Sequence, residues 1–348
     1  VSKQAGVSLI LGVKMLVPVL SKDQQPLMPT TKHRAMKLVA SREATPFWKR
    51  GIWCIRLNRE PSGYAMQSVV IGVDPGSKKE GFSIVSEANT IANFQADAVT
   101  DVKEAVETRR NMRRARRFRN TPCRKNKSNR AKSPFPPSTK ARWDLKLRII
   151  NFLAKLYPIT HVIVEDVKAR ARKGCKKWNK SFSPLEVGKK YFYEALSSRY
   201  ILRIRQGWEN SEFRKELGLK KLNNKLSNDF HAHCVDGFCL AKWFIGGDNE
   251  PTSKQVGLIK PFKFSRRQLH VFQPAQGGER KNYGSTRSMG FKRGSIVKHE
   301  KYGICYVGGT SKARITLHNL FDGSRLSRCI KSEAVQFKAY SPWSLNYA

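Results

Sequence analysis

Apolar and polar positions alternate along the chain in stretches that have either strand-like or helix-like spacing. Val69–Asp74 is a continuous apolar run, which predicts a strand buried on both faces of a sheet. A turn rich in glycine and lysine leads to two further predicted strands at Phe82–Ser86 and Thr90–Ala98. Another apolar strand is predicted at 161–167. Helical spacing is found at 101–120, 139–156, 184–200 and 229–245.

Three hairpin-like strands, a helix, a further strand and more helices predict an α/β fold with a ribonuclease H-like core that is split in sequence. Three acidic residues stand where such a core would bury them. Asp74 ends the first strand, Glu165 lies near the end of the strand at 161–167, and Asp236 lies on the last predicted helix. Buried carboxylates are costly unless their charge is compensated, and divalent cations are the usual compensation.

The two ends of the chain predict smaller modules. Residues 15–57 combine a strand at 16–20, a basic helix at 31–42 and a strand at 52–57. We interpret Met15 as the natural start, with residues 1–14 upstream of it. Short alternating strands separated by Gly-Gly and Asp-Gly turns predict a small antiparallel β-barrel in the C-terminal part, with strands at 294–298, 303–307, 313–317 and 334–338.

The charge of the chain points to a polyanionic partner. Its 348 residues include 67 Lys and Arg against 26 Asp and Glu, a net charge of +41. Because this charge is spread along a globular sequence and is not confined to one tail, we expect nucleic acid and no membrane as the partner. The seven cysteines include no C-x-x-C pair, which argues against a zinc finger or a disulfide scaffold and favours a reducing cytosolic compartment.

The three acids in strand, strand, helix order predict phosphodiester hydrolysis with two metal ions. Such chemistry uses a pair of ions about 4 Å apart to activate water and stabilise the leaving oxygen. Asp74 would bridge the ions, and Glu165 and Asp236 would complete the ligands. Asp166 points to the opposite face of its strand, so only one of the pair can serve, and geometry alone leaves that choice open. A lone buried aspartate is usually a capping or turn residue.

Two histidines precede Asp236 on the predicted helix. His233 is three positions away and shares its face, so it could activate the attacking water or steady the leaving group. The alternative is a polar helix residue with no role, which is the interpretation that we favour for His231, about 140° round the helix from Asp236.

An arginine-rich run in the helix predicted at 101–120 gives the strongest binding signal. Charge runs are usually solvated surface or disordered. Here Met112, Ala115 and Phe118 recur at three-residue spacing and predict a narrow stripe that seats the helix on the core. Arginines on its other sides would then hold phosphates. These are Arg109, Arg110, Arg113, Arg114, Arg116, Arg117 and Arg119.

Together these segments resemble the IscB/IsrB proteins, insertion-sequence-encoded relatives of type II CRISPR effector nucleases. The resemblance covers nearly the whole chain from Met15. Pro26–Pro29 is similar to the signature of the family's PLMP domain, and Arg109–Arg119 to its bridge helix. Three further segments resemble the family's three RuvC motifs in order: Gly72–Ser77, Val162–Asp166 and His233–Asp236.

One absence places the chain nearer to IsrB than to IscB. IscB carries an HNH nuclease between the second and third RuvC motifs, and an HNH site needs histidine. The sequence has no histidine between His161 and His231. The resemblance implies a PLMP-like domain at 15–60, RuvC-like parts at 66–100, 139–200 and 201–250, a bridge helix at 101–122, and a β domain at 254–348 that contacts the flanking motif and the RNA.

The resemblance also implies a function. A long non-coding guide RNA would pair with one strand of a double-stranded DNA target, and the single RuvC-like site would nick the displaced, non-target strand. The family pattern favours Glu165 over Asp166, with two Mg²⁺ ions, replaceable by Mn²⁺, as cofactors. We expect a monomer within a ribonucleoprotein, in a prokaryotic cytoplasm.

A short DNA motif flanking the target would be read by the C-terminal β domain. Arginine and glutamine can pair bidentately with guanine and adenine edges. For each candidate a phosphate contact is the alternative. The candidates are Arg266, Arg267, Gln268, Lys292 and Arg293.

Two other classes of function remain open from the sequence. The first is an unguided structure-specific nuclease with a RuvC-like core, such as a resolvase or transposase. The second is a non-catalytic RNA-binding protein, which would leave the buried acids unexplained.

Overall fold

The structure is a computed structural model that describes residues 16–119, 136–168, 183–247, 249–262, 272–273, 278–279, 287–311 and 313–348. The chain forms two compact units. Within the described ranges, the first comprises 16–98, 139–260 and 345–348, and the second comprises 99–119, 136–138 and 261–344. In the described ranges, no helix is both long and apolar enough to cross a membrane. The five cysteines described there are free thiols.

The first unit begins with a small α/β module. Its sheet has the order β2-β1-β4-β3, in which β1 and β4 are parallel and the other pairs antiparallel. Thr31 caps the helix through its side chain, and Ala35 and Ile55 are fully buried between helix and sheet. The elements are β1 Val17–Leu20, β2 Pro26–Thr30, α1 Lys32–Ala40, β3 Ala44–Lys49 and β4 Ile52–Leu57.

A seven-stranded sheet follows, with the order β20-β10-β7-β6-β5-β8-β9. Every side chain of β5 is buried, as its continuous apolar sequence predicts for a central strand. The strands are β5 Val69–Asp74, β6 Lys79–Ser86, β7 Thr90–Asp97, β8 His161–Asp166, β9 Ile201–Gln206, β10 Val256–Pro261 and β20 Trp343–Tyr347.

The strand directions define the fold. β5, β6 and β7 form an antiparallel meander, and β8 and β9 are added parallel to β5 on its other side. This order of five strands is the ribonuclease H-like arrangement, so the α/β class and the RNase H-like core predicted from the sequence are confirmed. The carboxyl ends of β5 and β8 lie side by side as a consequence of their parallel pairing.

Six helices are described in the two units. In the first unit the last helix, α6, packs on β5 and β6 and buries Val235 and Phe238. The helix bounds are α2 Asp101–Phe118, α3 Pro137–Leu153, α4 Pro184–Ser197, α5 Gly207–Glu216 and α6 Cys234–Ile245, in addition to α1.

Several bounds differ from the sequence prediction. Helix α6 begins at Cys234, because residues 229–233 form turns, so the helix predicted from 229 is five residues too long. Strand β9 and helix α5 were not predicted. Strand β9 lies at the sheet edge with half of its side chains exposed, so it has no continuous apolar run.

The second unit contains a five-stranded antiparallel sheet with the order β18-β17-β16-β15-β19 around Val297, Val307 and Leu317. Among its described residues no pairing joins β18 to β19, so the predicted small antiparallel barrel stays a prediction. Its strands are β15 Ser295–His299, β16 Gly303–Ser311, β17 Arg314–Asn319, β18 Arg325–Ile330 and β19 Val335–Tyr340. Two short hairpins pair β11 Phe272–Gln273 with β12 Gly278–Glu279, and β13 Arg287–Ser288 with β14 Phe291–Lys292.

Two strands of the C-terminal part predicted from 254 onward belong to the seven-stranded sheet. Strand β10 pairs with β7, and β20 pairs with β10, so both extend the ribonuclease H-like sheet. Sequence patterns alone do not indicate this, because pairing between residues far apart in the chain leaves no local signal. Three of the base-reading candidates, Arg266, Arg267 and Gln268, lie outside the described residues, as do residues 1–14.

Candidate functional site

Asp74 and Asp236 are brought together by a close crossing of α6 over β5. A Cβ atom added to Gly72 would lie 1.8 Å from the carbonyl oxygen of Gly237, so only glycine at position 72 permits this approach. Ser83 of β6 donates a hydrogen bond of 2.8 Å to the carbonyl of Cys234, which fixes the start of the helix. Asp74 and Asp236 are both buried at this crossing.

Glu165 completes a group of three acids that we call the carboxylate cluster: Asp74, Glu165 and Asp236. Burial raises the pKa of Glu165, and the negative charges of Asp74 and Asp236 raise it further, to about 7. Val73 pairs with Val164 in the parallel β5–β8 ladder, so the residues that follow them, Asp74 and Glu165, lie side by side at the strand ends. The structure thus brings together the three acids that the sequence singled out.

Asp166 faces a different environment from its neighbour. It accepts hydrogen bonds from Lys189 at 2.7 Å, from Gln206 at 3.0 Å and from Tyr193 at 3.3 Å. Burial alone would raise the pKa of Asp166, but the bonds from Lys189 and Gln206 outweigh it, and the pKa is lowered. Asp166 is thus engaged in tying β8 to α4 and β9, whereas Glu165 belongs to the carboxylate cluster.

Two basic side chains compensate Asp236. Lys221 and Arg214 each form an ion pair with one of its carboxylate oxygens. Burial alone would lower the pKa of Lys221, but Asp74 and Asp236 outweigh it and raise the pKa above its ordinary value. The sequence did not single out either cation, because nothing distinguishes them among 67 Lys and Arg residues.

His233 joins the site from the N-cap of α6, one residue before the helix. Its Nδ1 lies 3.5 Å from Oδ2 of Asp74 and, although buried, has no hydrogen-bond partner. Its Nε2 lies 3.1 Å from the carbonyl oxygen of Lys225, which can only accept, so Nε2 carries the hydrogen. In the neutral ring, Nδ1 is then a free acceptor.

The sequence argument for His233 was therefore wrong in its geometry, because residues 233 and 236 do not share a helical face when the helix begins at 234. The contact of His233 is with Asp74 on β5. His231 lies in the preceding turn, where its Nδ1 is 2.9 Å from the carbonyl oxygen of Lys220.

Helix α5 runs along the carboxylate cluster. A Cβ atom on Gly207 would lie 2.5 Å from Oε1 of Glu165, so the first residue of the helix touches that carboxylate. Asn210 donates a hydrogen bond of 3.3 Å to the carbonyl of Asp236, and Arg214 binds its side chain. Residues 207, 210 and 214 thus lie on the face of α5 that borders the cluster.

A buried ion pair supports the strand beside Asp74. Glu80 of β6 is fully buried and accepts a hydrogen bond of 2.7 Å from Lys146 of α3. Burial raises the pKa of Glu80 despite this partner, and the charge of Asp74 adds to the effect. Lys146 also lies over the ring of Trp143, 4.6 Å from its centre. The pair fixes α3 on the sheet.

The predicted binding residues that fall in the described ranges lie in the second unit. Arg110, Arg113, Arg114 and Arg117 are exposed on α2, and Arg119 is its exposed C-cap; Arg109 is half-buried, and the side chain of Arg116 is outside the described set. Two members of the predicted apolar stripe, Met112 and Phe118, have exposed side chains, the latter to 90%.

The two base-reading candidates within the described residues flank the end of β14. Lys292 is exposed and lies 5.6 Å from the ring centre of Tyr340, while Arg293 is half-buried.

The chemistry of the carboxylate cluster suits divalent cations. Divalent cations prefer oxygen and nitrogen ligands. The cluster offers three carboxylates that repel one another, and Nδ1 of His233 adds a nitrogen with a free lone pair. Among the described residues, no three acidic, histidine or cysteine side chains are arranged to hold an ion as they stand. Asp236 is instead paired with Lys221 and Arg214, so binding requires these side chains to rearrange.

Comparisons with known proteins give one family model and several solved structures. A family model described as RRXRR protein matches residues 17–176, a range in which Arg113–Arg117 spells that pattern. None of the curated proteins matches the chain significantly.

The chain is also similar to T. thermophilus RuvC in complex with a Holliday junction substrate, with 14% identity, a TM-score of 0.27, and coverage of 50% of this chain and 90% of that one. It is similar as well to the yeast mitochondrial Holliday junction resolvase Ydc2, with 15% identity, a TM-score of 0.28, and coverage of 53% of this chain and 80% of that one.

Proposed function

We propose that this chain is a metal-dependent endonuclease that nicks one strand of DNA, and that a bound guide RNA directs it to the target. One observation carries the proposal. Carboxylates from β5, β8 and α6 converge at the carboxyl ends of the central strands of a ribonuclease H-like sheet, in a chain of net charge +41. An acidic centre on a basic body suits hydrolysis of a polyanion.

Asp74, Glu165 and Asp236 would hold the metal ions. The chemistry that bound Mg²⁺ or Mn²⁺ supplies at such a centre is activation of the attacking water and stabilisation of the leaving oxygen. His233 can accept a proton at Nδ1, because its Nε2 is held by the carbonyl of Lys225. The ring is thus already oriented for a proton transfer beside Asp74.

Lys221 and Arg214 would act on the substrate. Both now bind Asp236, and each can pair with a phosphate oxygen once Asp236 holds a cation. Since both lie at the carboxylate cluster, they would place the scissile phosphate there. Asp166 takes no part, because three hydrogen bonds hold it on the other side of β8.

Guidance by RNA is supported by the sequence. The resemblance to IscB/IsrB proteins extends over the N-terminal module, the three motifs and the arginine-rich helix α2, and the RRXRR family model covers the first part of the same range. The exposed arginines of α2 suit the phosphates of a folded RNA or a heteroduplex. One carboxylate cluster within the described ranges supports one cut per target, and the resemblance to IscB/IsrB proteins implies that the cut is in the displaced strand.

The experiment is to express the chain with its native flanking DNA, sequence the RNA that co-purifies, and map cuts on a double-stranded target. We expect one discrete RNA with a segment that pairs with DNA, and a nick confined to the displaced strand that requires Mg²⁺. Changing the pairing segment should move the nick to the new target. Cutting that persists without the RNA would favour an unguided structure-specific nuclease, and absence of cutting would favour a non-catalytic RNA-binding protein.

A further inference from the structure

His231 binds the backbone on both sides of Lys221. The two residues lie in the loop of residues 217–233 that joins α5 to α6. The ring Nδ1 of His231 is 2.9 Å from the carbonyl oxygen of Lys220, which can only accept, so Nδ1 donates this hydrogen bond. The carbonyl oxygen of His231 accepts a second bond of 2.9 Å from the backbone N–H of Leu222. The backbone that flanks Lys221 is therefore fastened to one histidine.

His231 is itself fixed to the core of the first unit. Its backbone N–H donates a hydrogen bond of 2.7 Å to Oδ1 of Asp229. Its ring meets the ring of Phe230 edge-on, with 5.3 Å between the two ring centres. Phe230 is buried among the apolar side chains of α6. The hydrogen bond from the His231 ring to Lys220 thus connects the loop to the packed core.

The loop brings a positive charge to the carboxylate cluster. Lys221 forms an ion pair with Asp236. Further along, the loop is held by His233, whose Nε2 lies 3.1 Å from the carbonyl oxygen of Lys225. Holding a long lysine side chain in one place costs conformational entropy, and a fixed backbone lowers that cost because fewer bonds remain free to rotate. The hydrogen bonds of His231 therefore favour the placement of the Lys221 ammonium group at the cluster.

We propose that His231 is a positioning residue, which holds the backbone of Lys220 and Leu222 so that the ammonium group of Lys221 stays at the carboxylate cluster and meets the scissile phosphate there. This inference rests on the proposed nuclease function, in which Lys221 binds that phosphate. Sequence analysis assigned no role to His231. In the structure its ring donates to a loop carbonyl, so its effect on the reaction passes through Lys221.

The test is a double-mutant cycle on nicking by the purified ribonucleoprotein. His231→Ala should lower kcat/KM about 10-fold, and His231→Asn should restore most of it, because the asparagine amide can donate in place of Nδ1. In a Lys221→Met background, His231→Ala should cause no further loss. An equal loss in both backgrounds would overturn the inference, since it would show a role independent of Lys221. His161→Ala is the matched control, because this half-buried histidine lies at the opposite end of β8 from Glu165, and it should cut as wild type does.

A second readout does not depend on cleavage. The protein in metal chelator is treated with acetic anhydride, and mass spectrometry of its peptides measures how fast each lysine is acetylated. Lys221 should react about 5-fold faster in His231→Ala than in wild type, the change that corresponds to one net hydrogen bond, and His231→Asn should return it to the wild-type rate. Lys146, buried in its ion pair with Glu80, should stay protected in every variant that keeps the fold.

The two measurements separate the inference from the function on which it rests. Equal acetylation of Lys221 in wild type and His231→Ala would overturn the positioning role of His231. Absence of cutting by the wild type would overturn the proposed function, while the acetylation rates would still decide whether His231 holds Lys221 in place.

Discussion

At the scale of single residues, the neighbours Glu165 and Asp166 show how environment separates two carboxylates. Burial together with Asp74 and Asp236 raises the pKa of Glu165 to about 7. The hydrogen bonds from Lys189 and Gln206 lower the pKa of Asp166 in spite of its burial. The fold therefore stabilises the charge of Asp166 and opposes that of Glu165, which is what a site that needs a cation would show.

This difference predicts that neutralising Glu165 and neutralising Asp166 change Tm in opposite directions. Folded Glu165 holds its proton more tightly than in the unfolded chain, so stability falls as pH rises from about 4.5 to about 7. In metal chelator at pH 8, Glu165→Gln should raise Tm by roughly 5 °C, with no difference near pH 4.

Asp166→Asn serves as the matched control. Because the pKa of Asp166 is lowered, its charge stabilises the fold above the pKa of the unfolded chain, and this contribution is lost as pH falls. Its removal should therefore lower Tm at pH 8. Thermal unfolding monitored by circular dichroism measures the Tm of both variants. A fall of Tm for Glu165→Gln at pH 8 would contradict the buried, negatively charged environment assigned to Glu165.

Gly207 tests the position of the Glu165 carboxylate. An added Cβ atom would lie 2.5 Å from Oε1 of Glu165, the far end of a flexible side chain that can move aside. Gly207→Ala should therefore leave Tm nearly unchanged, yet lower the nicking rate about 10-fold or more because the carboxylate is displaced. Equal rates for Gly207→Ala and wild type would show that Glu165 is not needed in this position.

At the scale of elements, the site depends on how closely α6 approaches β5. The contact between Gly72 and the carbonyl of Gly237 sets the distance between strand and helix, and so between Asp74 and Asp236. Sequence patterns gave the bounds of β5 correctly because its apolar run is continuous up to Asp74. They did not indicate the crossing, which follows from packing between residues far apart in the chain.

Gly72→Ala is expected to disrupt this crossing. The Cβ atom would lie 1.8 Å from a backbone oxygen that cannot rotate away, so helix and strand must separate, at a cost of about 3 kcal/mol or more in the free energy of unfolding. Gly63→Ala is the matched control, since a Cβ atom there has no neighbour within 4 Å. Urea unfolding of both variants measures the difference in the free energy of unfolding. Equal unfolding midpoints for the two variants would contradict a close contact between α6 and β5 at Gly72.

Helix α5 shows why part of the site escaped sequence analysis. Its N-cap is Gln206, which is not among the residues that usually mark a helix start, and strand β9 before it is half exposed. The contacts of Gly207 with Glu165 and of Arg214 with Asp236 were therefore not foreseen. The acids themselves could be predicted, because each belongs to an apolar run where a charge is conspicuous.

At the scale of the whole molecule, charge should dominate binding to nucleic acid. Every phosphate that a basic side chain neutralises releases counterions, so the logarithm of the binding constant should fall linearly with the logarithm of the salt concentration. Replacing Arg110, Arg113 and Arg114 together by glutamine should make the slope shallower by about 2 to 3. Titrations of RNA at several salt concentrations test this, and an unchanged slope would remove α2 from the binding surface.

The measurement that tests the central claim most directly is nicking of a matched double-stranded target by the Asp74→Ala ribonucleoprotein, with Asp97→Asn as control. Asp97 lies at the end of β7 in the same sheet, but its side chain is 45% exposed and pairs with Lys79 at 3.6 Å. The account predicts that Asp74→Ala binds RNA and DNA as wild type does, yet cuts at the background rate, whereas Asp97→Asn cuts normally. Nicking by Asp74→Ala at the wild-type rate would contradict the assignment of the carboxylate cluster as the nuclease centre.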